Sequence, residues 1–307
     1  MDHDVAQLVE SWVTEFERDA EPDGTPESNH EPQLPVTSSG LFYTFTDSIG
    51  GSVSLEQHDG RFQHRGTVAV RGRCASLDDA GKETKLPDHA VRAFEFVASW
   101  FGYPFDAVNL RAAERNVLSW GFWGLAGSEL ATCLEQWKRE SPEAFTSYLS
   151  AFGVDIADGP TLHVKADGAT IDGRGAEWTI ATEPRLLAAL ARAGRDASAQ
   201  KAQLDIVLKK WIAPVLFQPW DPSTGRDAIT VETLKSAQHV AVLLYLIRRH
   251  GRRAAMRLVR TVNTRYRPEN DHDAWLTGLV RLLKSLRREH DSSEVLRISS
   301  SPELTAA

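Results

Sequence analysis

AFEFVASWFGYPFDAVNLRAAERNVLSWGFWGLAG, residues 93–127, decides how the rest of the chain is read. Ala93, Phe94, Val97, Ala98 and Phe101 recur at three- and four-residue spacing, the pattern of one apolar helix face. Gly102 and Pro104 end that helix, because proline lacks an amide donor and pushes Tyr103 out of helical geometry. A polar loop from Asn109 to Asn116 follows, then the glycine-punctuated aromatic run Leu118-Ser119-Trp120-Gly121-Phe122-Trp123-Gly124. A buried helix that stops at a polar turn, with a tryptophan–glycine ribbon folding back on it, predicts the wall of a cleft.

Upstream, the pattern changes from helical to alternating. LFYTFT, SVSLEQ and RFQHRGTVAVRGRC, between Leu41 and Cys74, read as strands separated by the turn signals Ile49-Gly50-Gly51 and His58-Asp59-Gly60. Their aromatics suit either a core or sugar stacking. Pro87 suits the first turn of the helix that carries Phe94. Further upstream, Val5, Leu8, Val9, Trp12, Val13 and Phe16 line one face of a short helix over residues 4–17. That face either packs back on its own domain or docks into a partner's groove. The Pro-, Glu- and Ser-rich stretch after it, residues 20–40, reads as a flexible acidic linker.

Downstream, helices are predicted at 128–139 and 141–152, the second opened by Ser141-Pro142-Glu143. Residues 161–180 alternate around two Asp-Gly pairs and predict a small β-hairpin. Helices follow at 184–193, 197–217, 230–250, 252–265 and 272–290, and the Ser-rich tail 291–307 is expected to be disordered. The fold class expected is α+β, mainly α. The predicted segments are an N-terminal helix (1–19), a linker (20–40), a β-rich extension (41–85), a helical domain (86–290) and the tail.

The net charge of −7 argues against a general nucleic-acid binder, since phosphate contacts demand a basic face. The concentrated positive feature is Arg248-Arg249-His250-Gly251-Arg252-Arg253, with Arg257 and Arg260 beyond. It favours a helix C-terminus electrostatically, binds anionic cell-wall polymer or nucleic acid, or pairs with the acidic linker; the first reading is preferred. Cys74 and Cys133 leave either one bridge or two reduced thiols, the latter preferred. The acidic start MDHDVAQLVESW lacks the basic and apolar regions of a signal peptide, so a cytoplasmic origin is expected, with any export by a non-standard route. No run is long enough to span a membrane. The histidines follow no metal-ligand spacing, and no phosphate loop, dinucleotide fingerprint or nucleophile elbow is present; neither metal nor cofactor is expected.

The segment GYPFDAVN…LSWGFW…AG resembles bacterial lysozyme-like proteins of the muramidase and chitosanase type. AGRDASAQKAQLDIVLKKWIAPVL (193–216) is similar to their helix with paired glutamines, and SAQHVAVLLYLIRRHGRR (236–253) to a later apolar helix. The resemblance runs from Pro87 to His290, about two thirds of the chain. It implies a lysozyme-like helical domain with the 161–180 hairpin as a second cleft lip. It also implies peptidoglycan, or a related amino-sugar polymer, as ligand. Aligned without gaps, the family's general acid falls on Ser99, its loop aspartate on Glu114 and its glutamine after the SWG on Gly124. Glycoside cleavage needs a carboxylic acid and a second carboxylate, and Ser99 cannot serve as the first. Glu114 and Glu95, the latter one turn from Ser99, are therefore the candidate catalytic groups. Ser99, Asp106, Asn109, Trp120, Trp123 and Gln203 are candidate substrate contacts. All but Ser99 have a plainer alternative: Asp106 and Asn109 as turn residues, at least one tryptophan as core, Gln203 as a buried tie between helix and loop. Three functions follow: a glycan hydrolase; an inactive lysozyme-like scaffold that binds glycan or serves an assembly, docked through residues 4–17; and, weakest because the net charge opposes it, a DNA-associated protein using the arginine run.

Overall fold

The computed structural model describes residues 42–47, 51–68, 87–101, 104–110, 117–157, 159–166, 168–212, 234, 236–263, 266 and 272–305. The expected N-terminal helix and linker, Cys74 and Glu114 lie outside these residues. The chain divides into two compact units, one holding described residues 42–68 and 98–210, the other 87–97 and 211–305.

The first unit begins with an antiparallel meander, β1 (Phe42–Asp47), β2 (Gly51–His58) and β3 (Arg61–Gln63). Asp59 and Gly60, both with positive φ, close the β2–β3 turn as the His-Asp-Gly signal predicts. Val53, Leu55 and Phe62 point inward while Ser52 and Ser54 stay exposed, the alternation of a half-buried sheet. A second small sheet pairs β4 (Val108–Leu110), β5 (Leu118–Trp120) and β6 (Leu125–Ala126), and an isolated bridge from His64 to Val108 ties the two sheets together. Helices α2 (Ser128–Glu140) and α3 (Pro142–Tyr148) follow, the latter with proline in its first turn as expected. A third meander comprises β7 (Val154–Ala157), β8 (Thr161–Ala166) and β9 (Ala169–Asp172).

The strand pattern stops at Asp172, although the sequence suggested a hairpin reaching residue 180. Gly173, at φ 51°, turns the chain into α4 (Gly173–Thr182), and Ala176, Ile180 and Ala181 bury one helical face. The second Asp-Gly pair is thus a helix start and not a hairpin turn. Helices α5 (Pro184–Ala193) and α6 (Ala197–Val207) complete the unit. Asp196 caps α6 by accepting the Ser198 and Ala199 amides at 2.9 and 3.3 Å. The α5–α6 corner passes so close to residues 105 and 106 that a Cβ on Gly194 would lie 2.1 Å from the Phe105 carbonyl oxygen. The β1–β3 meander packs on α5 within this unit.

The second unit is a helical bundle. It takes residues up to Val97 of α1 (Asp88–Trp100), with Ala90, Ala93, Phe94 and Val97 buried as the periodicity predicted. Its centre is α7 (Ala237–His250), which touches α8 (Arg252–Asn263), α10 (Glu289–Ser299) and α11 (Pro302–Thr305); α9 (His272–Ser285) packs on α8 and α10. Trp275 lies edge-on to His239 at 5.0 Å and donates its indole N–H to Asn263 Oδ1 at 2.7 Å.

Two expectations fail here. The helix expected over 272–290 breaks at residues 286–288, where Arg287 adopts φ 56°. The tail from Asp291, expected to be disordered, continues α10 and forms α11. Asp291, Val295 and Ile298 repeat at helical spacing and are buried with Leu304. That tertiary burial outweighs the modest helix propensity of the serines. Among the described residues no helix is long and apolar enough to cross a membrane.

Candidate functional site

The tryptophan–glycine ribbon forms as its glycines dictate. Gly121 takes φ 65°, ψ −161°, a combination open essentially to glycine. Trp123, at φ 68°, holds a left-handed conformation that a bulky residue adopts only under strong tertiary constraint. The Gly121 amide donates to the Ala107 carbonyl at 2.7 Å, which fastens the ribbon to the turn before β4.

The cleft expected along this ribbon is filled by the unit's own side chains. Trp120 is 0% exposed and Trp123 3%. Trp120 packs on Trp137 at 6.4 Å between ring centroids, and Trp137 meets Phe145 edge-on at 5.2 Å. Phe122 lies against Phe105 at 5.3 Å. Burial of each large ring stabilises by roughly 1.5–3 kcal/mol. The Trp120 indole N–H meets no acceptor among the described residues, a cost of about 1–3 kcal/mol. These rings therefore form core and offer no floor for a sugar.

Gln203 completes the closure. Fully buried on α6, its Oε1 accepts the Phe122 amide at 2.8 Å and its Nε2 donates to the Phe105 carbonyl at 3.1 Å. A Cβ on Gly121 would sit 2.1 Å from that Oε1. Both ends of the amide are thus committed to protein, and the plainer reading of Gln203, a tie between helix and loop, is the one realised.

Asp106 is the hub of a buried polar network. Its Oδ1 accepts the Thr67 and Val68 amides at 2.7 and 2.9 Å, and its Oδ2 accepts from the Thr67 hydroxyl at 2.8 Å and Arg195 Nε at 3.1 Å. His64 Nε2 stands 3.3 Å from the same oxygen, while His64 Nδ1 faces the Ser54 carbonyl at 2.8 Å. Burial alone would raise the Asp106 pKa, but the hydrogen bonds from His64, Val68 and Thr67 outweigh it and hold the carboxyl well below its usual range. A carboxylate so saturated with donors supplies no proton near neutral pH and no open lone pair to a substrate. It joins the β2–β3 meander to the α5–α6 corner.

Of the remaining candidates, Asn109 stands beside the ribbon, on β4. Ser99 is exposed and Glu95 half-buried on α1, and Asn109 is half-buried opposite Ser119 in the β4–β5 ladder. Cys133 is a buried free thiol whose pKa is pushed up by burial and by the nearby charges of Asp205 and Glu140, which suits an inert core residue. Among the described residues no cluster of three His, Cys, Asp or Glu side chains could hold a metal ion. Sequence reasoning missed His64, Thr67 and Arg195, since nothing in their local sequence signals partnership with Asp106.

The arginine run has a definite place in the second unit. Arg248, Arg249 and His250 occupy the last turn of α7, where cations favour the helix C-terminus as preferred from the sequence. A buried carboxylate at the start of α10, Asp291, collects Arg249 Nε at 3.4 Å, Arg288 at 3.6 Å and the Tyr245 hydroxyl at 3.1 Å. His250 Nε2 lies 3.0 Å from Asp291 Oδ2, off the line of a good hydrogen bond. Arg288 donates to His250 Nδ1 at 2.9 Å, which requires a lone pair there and hence a neutral ring. Burial first, then the neighbouring arginines, lowers the His250 pKa. Burial would raise that of Asp291, but His250, Arg249 and Tyr245 bring it down to about 2.

The chain matches no protein-family model, and comparison with curated proteins and with solved structures finds no similar protein.

Proposed function

We propose that this chain is a catalytically inactive, lysozyme-like scaffold acting as a structural or binding component of a larger assembly. One observation carries the proposal: the ribbon that resembles a lysozyme cleft wall is core, with Trp120 and Trp123 buried and both ends of the buried Gln203 amide bonded within their own unit. Glycosidic hydrolysis needs an accessible acid and a second carboxylate bordering a sugar site. Ser99 stands at the family's acid position, and Asp106 is locked in an internal network. The surfaces of such a scaffold, and not an internal groove, carry its recognition.

The test is turbidity clearing of purified peptidoglycan by the full chain, beside Glu95→Gln and Glu114→Gln. The scaffold predicts no clearing above buffer for any of the three proteins. Clearing by the parent that either substitution abolishes would restore the hydrolase reading, with that glutamate as its surviving carboxylate.

A further inference from the structure

The chain is acidic overall, yet its charge is not evenly spread. The α7–α8 corner at Gly251 and the α9–α10 corner at residues 286–288 meet at one end of the bundle. They are joined by the contacts of Arg249, His250 and Arg288 with Asp291. The two corners carry Arg249, Arg252, Arg253, Lys284, Arg287 and Arg288 about the buried Asp291, and among the described residues of these corners Glu289 is the one exposed acid. Arg252, Lys284 and Arg287 are exposed and make no ion pair among the described residues, unlike Arg249 and Arg288, which Asp291 holds. Arg281, also exposed, extends the basic face one turn back along α9 from Lys284.

We infer that this end of the bundle binds the phosphodiester backbone of nucleic acid. Three observations select phosphate. The cations are mostly guanidinium, whose planar fork matches phosphate oxygens two at a time. The amide-bearing start of α8, with no acidic residue in its first turn, lies at the same end, and helix N-termini favour phosphate. Asp291 fixes Arg249 and Arg288 from within, so the corners come prearranged and leave Arg252, Lys284 and Arg287 to face an anion. A net charge of −7 excludes a nucleic-acid-binding surface over the whole chain but not this local field.

The experiment is fluorescence anisotropy of a fluorescein-labelled duplex DNA titrated with the full chain across a salt series. Neutralising about four phosphates predicts a slope of log affinity against log salt of roughly −3 to −4. The triple variant Arg252→Gln/Lys284→Gln/Arg287→Gln should bind about tenfold or more weakly at low salt, with the slope reduced to about −1. Its thermal melting should match the parent's, because it spares Asp291, Arg249 and Arg288. A charge-matched control on exposed residues of the other unit, Lys165→Gln/Arg174→Gln/Arg185→Gln, should bind as the parent does. No salt-dependent binding by the parent, or equal weakening by both triple variants, overturns the inference. So does displacement of the DNA by an equal charge concentration of polyglutamate, which would mark a surface for acidic peptide. The outcome is independent of peptidoglycan clearing, so this inference and the scaffold proposal stand or fall separately.

Discussion

Gly121 and Gln203 show how one residue pair converts an apparent groove into core. Gly121 needs its own φ and ψ, and it also leaves the space that the Gln203 carboxamide occupies. Gly121→Ala introduces both backbone strain and a collision, for an expected loss of about 2–4 kcal/mol. Gln203→Ala leaves the buried Phe122 amide and Phe105 carbonyl unpaired, for about 2–3 kcal/mol. Because the second change removes the atom with which the first collides, the double variant should lose less than the sum, by about 1 kcal/mol or more. Urea denaturation of the four proteins measures this, and strict additivity would contradict the packing described. The turn at Gly121 was legible in the sequence, since glycine beside aromatics marks a sharp bend. Its filling was legible only as one of two readings of Gln203, because that side chain is supplied from a helix more than eighty residues further along.

At the scale of elements, boundaries set by local chemistry were readable and those set by tertiary burial were not. Pro87, Pro142 and the Asp59-Gly60 turn stand where their backbone preferences place them. α4 and α10 were missed because glycine or serine masks their apolar spacing, and only packing reveals that Ile180 and Ile298 point inward. The α9–α10 corner also makes a pH prediction. His250 has a folded pKa below its ordinary 6.5, so its contribution is complete above that pH and declines as acid favours the unfolded, protonated ring. Asp291 falls from 3.8 to about 2 on folding, so its contribution holds above 3.8 and is lost below it, towards 2. Acid should therefore destabilise the protein in two stages, the first just below pH 6.5 and the second below pH 3.8. His250→Gln should remove the first stage and retain the second, as followed by denaturation midpoints across pH. An unchanged first stage would place its origin elsewhere.

Across the whole molecule, the aromatic residues divide between core and surface in a way that opposes the cleft expectation. The helix and strand patterning supplied the mainly helical α+β class, and the described residues agree with that coarse reading. What could not be read was which tryptophan would meet solvent. The sequence pointed to Trp120 and Trp123, whereas the half-exposed one among the described residues is Trp178 on α4, with the Arg61 guanidinium 5.8 Å from its ring centre. Hydroxyl-radical footprinting of the folded full chain, read tryptophan by tryptophan by mass spectrometry, tests the central claim most directly. Trp178 should oxidise readily, with Trp120 and Trp123 protected until the chain is unfolded. Oxidation of Trp120 or Trp123 in the folded protein at the rate of Trp178 would mean that the ribbon borders an open groove, contradicting the account.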